Sequence, residues 1–204
     1  MRLLVFGATG ATGGPFTRLA LEAGHEVTAV VRRPEALTLS HPHLEVVRGD
    51  VLTPSTWSAS GQDAVVSCLG VRTTKPTAFY SESITHILAA GVPRLLVISA
   101  LGLDIGPDIS WVQKTLTRYV LQRILRYPYA DLRRMEALVK ASPLDWTIVR
   151  PPMLTNAAPK GTYRVAVNEY LSHPFKIARA DLAGYMAENL SNRDIYKRTV
   201  EIGY

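Results

Sequence analysis

The chain has 204 residues, 47% of them hydrophobic and 20% charged, which suits one globular domain and excludes a disordered or low-complexity chain. Its formal net charge of +6 favours an anionic partner, but the basic residues are dispersed. The densest group, Arg118, Arg123, Arg126, Arg133 and Arg134, interleaves with apolar positions, so a solvated helix face is expected there and no nucleic-acid partner.

Arg2 to Phe6 reads as a strand running straight into a glycine-rich turn, which leaves no room for a cleavable targeting segment and implies a cytoplasmic location. Short apolar runs rich in β-branched residues follow, so strands are predicted at 3–6, 27–31, 44–47, 64–69, 95–98 and 146–149. Helical spacing separates several of them, at 16–23 before Gly24 and at 80–90 before Gly91. Strand and helix in alternation imply parallel pairing, and continuous rather than alternating apolar strands imply helices on both faces. The predicted fold is α/β, a Rossmann-type doubly wound parallel sheet. No apolar run approaches the ~20 residues needed to cross a bilayer, so no membrane partner is expected.

The second half is less regular. A mostly helical stretch is predicted over 111–141, broken near Tyr127-Pro128-Tyr129 by the proline, and Pro151-Pro152 ends the sixth strand and opens a loop. Strands at 163–167 and 199–202 flank a helix at 180–190, and this small carboxy-terminal portion is expected on the substrate side of the cleft. With no linker or repeat, residues 1–204 are taken as one domain. The single cysteine, Cys68, makes no internal disulfide and suits a reducing compartment; no metal is expected, and a monomer or homodimer is.

Gly7-Ala8-Thr9-Gly10-Ala11-Thr12-Gly13 joins the first strand to the first helix, the context a dinucleotide fingerprint requires. Glycines let backbone approach a pyrophosphate without Cβ collisions, while the helix start offers unpaired N–H groups and partial positive charge. Thr9 and Thr12 can add hydroxyl donors, and Pro15 is tolerated in the first turn. The second strand ends Val30-Val31-Arg32-Arg33, where an NAD site would place an acid for the ribose hydroxyls. A guanidinium can hold a 2′-phosphate bidentately and stack on adenine, so Arg32 first and Arg33 second point to NADP(H), with Glu35 as the residue that would serve a ribose hydroxyl instead. Asp50 could accept from the adenine amino group, with Val51 packed on the ring, or be a plain helix cap. Cys68, Leu69 and Gly70 follow the fourth strand, where backbone would pass close to the ribose; Cys68 itself is expected to be buried.

Together, Gly7 to Gly13, Val30-Val31-Arg32, Gly49-Asp50-Val51, Leu69-Gly70-Val71-Arg72, Ser99, Arg150-Pro151-Pro152 and Asp181-Leu182-Ala183 resemble the short-chain dehydrogenase/reductase superfamily. The resemblance covers nearly the whole chain and is to the atypical, NmrA-like NAD(P)-binding branch that includes the flavin and biliverdin reductases. It implies Arg72 near the cofactor, Ser99 and Ala100 near the nicotinamide, with Ser99 the candidate catalytic residue, and Pro151, Pro152 and Met153 beside cofactor and substrate. Catalytic members of the wider superfamily carry Tyr-x-x-x-Lys, which this chain lacks; its nearest approaches are Tyr119 with Arg123 and Tyr129 with Arg133. Some relatives carry histidine after the double proline, and here Met153 suits an apolar or aromatic substrate wall.

The leading expectation is an NADPH-dependent oxidoreductase delivering hydride to a flavin, quinone or similar small conjugated acceptor, whose reduced form solvent can protonate. His173 could also supply a proton, against its reading as a surface residue. The alternative is a non-catalytic NADP(H)-binding redox sensor of a protein partner. An epimerase or dehydratase of nucleotide sugars fits less well, since those relatives generally use the absent tyrosine-lysine pair.

Overall fold

A computed structural model describes residues 1–104, 106 and 122–204. Eight strands form one sheet in the order β3-β2-β1-β4-β5-β6-β10-β8. They are β1 (Arg2–Phe6), β2 (Glu26–Val31), β3 (Leu44–Arg48), β4 (Ala64–Ser67), β5 (Arg94–Ile98), β6 (Asp145–Arg150), β8 (Arg164–Val167) and β10 (Arg198–Gly203). All pairings are parallel except β10 with the edge strand β8, so the fold is a Rossmann-type α/β sheet. Two short strands, β7 (Met153–Thr155) and β9 (Lys176–Ala178), pair separately. The loop expected after Pro152 is therefore a strand, invisible to a pattern search because three residues are too few to show a period.

Helix α1 (Gly13–Glu22) packs with α4 (Arg179–Glu188) on one face, and α2 (Phe79–Ala89) packs with α3 (Arg126–Ala141) on the other. Alternate β1 residues feed the two cores. Leu3 and Val5 join Phe16, Leu182 and Met186, while Leu4 and Phe6 join Ile84, Ile87 and Met135. Both faces being covered is why these strands read as continuous apolar runs; each such side chain contributes roughly 1.5–3 kcal/mol by leaving water.

The interruption expected near Pro128 is present: a short helix, Gln122–Ile124, stops at Leu125 and α3 begins anew at Arg126, with the proline in its first turn, where its missing N–H has no intrahelical acceptor. The rest of the 111–141 prediction lies outside the described residues from 111 to 121, as do Arg118 and Tyr119. Arg123, Arg126, Arg133 and Arg134 are exposed, a solvated face as expected. Helix α2 has no capping side chain of its own at Ala78. Its first turn is held from α3 instead, where the fully buried Asp131 accepts from the Tyr80 and Ser81 amides at 2.8 and 3.2 Å and from the Ser81 hydroxyl. No helix among the described residues is long and apolar enough to cross a membrane.

Candidate active site

Strand order reverses between β1 and β4, since β2 and β3 lie to one side and β4, β5 and β6 to the other. That divergence opens a crevice at the strands' carboxyl ends. A cleft of about 460 Å³ lies there, lined by Gly7, Thr9, Gly10, Ala11 and Thr12 from the first turn. Gly7 adopts φ +85°, and a Cβ on it would come 2.6 Å from the Cys68 carbonyl oxygen. A Cβ on Gly13 would come 2.1 Å from the Gly7 carbonyl oxygen, so the turn closes only without one. The Gly10 amide donates to the Gly7 carbonyl at 2.8 Å, fixing the loop. Thr12 precedes the helix without a side-chain cap and the first turn carries no acid; the Gly14 amide is taken by the Gly10 carbonyl at 2.9 Å and Pro15 has none, so the loop from Gly7 to Thr12, at the positive end of the helix, is what faces the cleft.

Arg32 lines the cleft beyond the end of β2, while Arg33 lies outside its lining, as successive residues of an extended chain point to opposite sides. Glu35 is also absent from the lining and lies 3.7 Å from Arg48 at the surface. Asp50 and Val51 line the cleft, and the carboxylate accepts from the Leu52 amide at 3.0 Å, capping a turn rather than a helix. Cys68, Leu69, Gly70 and Arg72 complete the wall. Cys68 is half-buried, and burial pushes its thiol up to about 12, which leaves it protonated and inert at neutral pH. Arg179, at the start of α4, also reaches the cleft while donating to the Asn156 side chain at 2.7 Å. It lies far along the chain from the glycine turn, and no local signal in the sequence marks it. Three guanidinium groups and one carboxylate thus line a site floored by backbone amides.

Past Gly70, Val71 and Arg72 the crevice widens into a second chamber of about 670 Å³ bounded by Ser99, Ala100, Leu125, Tyr129 and Leu132. Ala100 and Tyr129 continue into a third, about 510 Å³, walled by Pro151, Pro152, Met153, Tyr170 and Phe175. Pro151, Pro152 and Met153 therefore face this outer chamber and not the cleft at the glycine turn, because β6 lies two strands beyond β4. Leu154, one residue on, lines the cleft instead. The exposed His173 sits on the outer chamber's rim at φ +48°.

Ser99 is buried, and its hydroxyl donates to Glu136 Oε1 at 2.7 Å. Its proton is committed to that carboxylate, while Ser99 still lines the second chamber. Glu136 also takes two bonds from Arg150, at 2.8 and 2.6 Å, and Lys140 at 3.1 Å. Burial alone would raise its carboxyl, but Arg150, Ser99 and Lys140 overcome that and hold it below the usual range. Tyr129 lines both outer chambers, with its hydroxyl against Gly102. Burial pushes the phenol up despite Arg133, so it stays protonated at neutral pH, and the Arg133 guanidinium is turned to the Leu103 carbonyl. The family motif's lysine has no functional substitute in Arg133.

The family model for NAD(P)H-binding proteins matches residues 7–193. Among solved structures, a candidate epimerase from Bacteroides thetaiotaomicron is 27% identical with a TM-score of 0.80, over 100% of this chain and 96% of that one. A Streptococcus pneumoniae protein described as a candidate NADH-flavin reductase is 23% identical, TM-score 0.77, over 99% and 98%. The anaerobilin reductase ChuY of Escherichia coli O157:H7 is 24% identical, TM-score 0.75, over 100% and 97%.

Proposed function

The chain belongs to the NAD(P)H-binding family of atypical short-chain dehydrogenases/reductases, and from that premise we propose that it is an NADPH-dependent oxidoreductase acting on a small, flat, conjugated acceptor such as a flavin or quinone. The observation that carries this reading is the adjacency of the three spaces: the cleft at the glycine turn shares Gly70, Val71 and Arg72 with the second chamber, which shares Ala100, Leu125 and Tyr129 with the chamber of aromatic and proline walls. Gly7 and Gly13 fit a pyrophosphate-binding turn, since a Cβ on either would collide with neighbouring backbone and force the turn open. NADPH, when bound, supplies the hydride. Around it the protein holds and orients: Arg32 is placed to bind a 2′-phosphate, Arg72 and Arg179 to balance the diphosphate, and Asp50 with Val51 to receive the adenine. The apolar outer chamber excludes water and stacks the acceptor, and the absence of a tyrosine-lysine pair matches acceptors whose reduced forms take their proton from solvent.

The test follows NADPH absorbance with a panel of flavins, quinones and dichlorophenolindophenol. Turnover of at least one acceptor is expected; tight NADPH binding with no turnover would favour the redox-sensor reading. NADPH should raise the thermal midpoint more than NADH at equal concentration, and Arg32→Asp should remove that difference. Equal shifts in the wild type would defeat the NADP preference.

A further inference from the structure

The outer chamber is apolar and aromatic on its walls, yet Glu201 and Asp104 are among the residues that line it. Glu201 stands on β10 directly opposite Arg150 of β6, and only 4% of the residue is exposed. One carboxylate oxygen accepts from the Leu171 amide at 2.8 Å. The other, Oε1, stays 4.0 Å from the Arg150 guanidinium, beyond hydrogen-bonding distance, and receives no hydrogen bond among the described residues. Arg150 is already spent: its Nε and Nη2 go to Glu136 and its Nη1 to Asp104 at 2.7 Å. Three carboxylates thus share one buried guanidinium, with Lys140 reaching only Glu136 and the exposed His173 on the rim. Burial, joined by Asp104 and Glu136, pushes the Glu201 carboxyl up against the opposing pull of the Leu171 amide and Arg150, as expected of an acid short of positive charge.

Glu201 Oε1 opens on the chamber without a donor among the described residues, and a ligand that brings an N–H or a positive charge supplies one. We propose that Glu201 is the specificity-determining residue of the outer chamber, selecting flat ring systems that present an N–H or a positive charge to its free oxygen and rejecting those that present a phosphate, sulfonate or carboxylate. This rests on the reading of that chamber as the acceptor site. Tyr129, Tyr170 and Phe175 suit such a ligand, because aromatic faces attract cationic rings as well as neutral ones. An anion would instead meet two carboxylates, the largely buried Glu201 and the partly exposed Asp104, and like charges repel.

Calorimetric titration with two tricyclic probes, cationic N-methylphenazinium and anionic anthraquinone-2-sulfonate, with and without saturating NADP+, tests this directly. The cation should bind the wild type at least about tenfold more tightly than the sulfonate. Glu201→Gln keeps the side chain's shape while removing its charge, and should bring the two affinities within about threefold. Asp104→Asn, at a partly exposed position that tolerates exchange, should narrow the gap in the same direction by less, and serves should the buried variant not fold. Equal or anion-favouring affinities in the wild type, no heat from either probe, or a gap unchanged in both variants would overturn the proposal. NADPH oxidation by neutral menadione is the separate arm: its failure would count against the oxidoreductase reading while the order of probe affinities still stands or falls alone.

Discussion

At the mouth of β1 the protein offers a ligand backbone amides and the guanidinium groups of Arg32, Arg72 and Arg179, whereas beyond β6 it offers aromatic and proline faces over a carboxylate. The first region depends on what is missing, a Cβ at Gly7 and Gly13, and the second on side chains brought together from α3, β7, β10 and the loops around them. Recognition by backbone fixes a shape common to all dinucleotides. Recognition by side chains leaves room for one chain to differ from its relatives, and it is there that a specific acceptor would be chosen.

Gly13→Val breaks the first region most completely. With a Cβ only 2.1 Å from the Gly7 carbonyl, the turn must open, and NADPH affinity should fall by roughly 100-fold or more, about 2.7 kcal/mol. Titration should show this while binding of N-methylphenazinium in the outer chamber changes little; an unaltered NADPH affinity would show that the amide cradle is not the site.

Arg150→Met strikes the second region. It leaves Glu136 buried without its principal partner and should cost about 3–5 kcal/mol in chemical unfolding, with NADPH affinity affected less than stability. The pH dependence sharpens this. A carboxyl whose folded value lies below its ordinary 4.5 contributes stability that is fully present above 4.5 and is lost as pH falls through the folded value. The difference between wild type and Arg150→Met should therefore shrink in acid, and a difference that stayed constant down to strongly acidic pH would point to lost packing rather than lost charge pairing.

Asp131→Ala has the smallest expected effect, about 1–3 kcal/mol, because it leaves the Tyr80 and Ser81 amides without their acceptor. Amide exchange should quicken first at the start of α2, beside Phe79 of the cleft wall. Protection that stayed as in the wild type there would mean that α2 does not depend on its cap from α3.

These three sites also show what the chain reveals before folding. The glycine turn was legible because its meaning is local: strand, loop and helix start lie within a dozen residues, and the missing side chains are themselves the signal. The central strands β1, β2, β4, β5 and β6 were legible because burial on both faces writes an apolar run, whereas β3, a half-exposed edge strand, was legible only from its β-branched Val46 and Val47. The bond from Ser99 to Glu136 was not legible, because the partner lies 37 positions away on another element. Asp131 and Glu201 gave no signal for the same reason: the former serves amides 50 and 51 positions earlier, and the latter gains its surroundings from β6 and from Leu171. Pro128 was ambiguous in principle, since a proline that ends one helix is equally suited to the first turn of the next.

The most direct measurement is a calorimetric titration of the whole chain with NADPH, NADP+, NADH and NAD+. NADPH should saturate one site per chain and bind more tightly than NADH. Heat from none of the four would contradict capture of a pyrophosphate at the turn formed by residues 7–13.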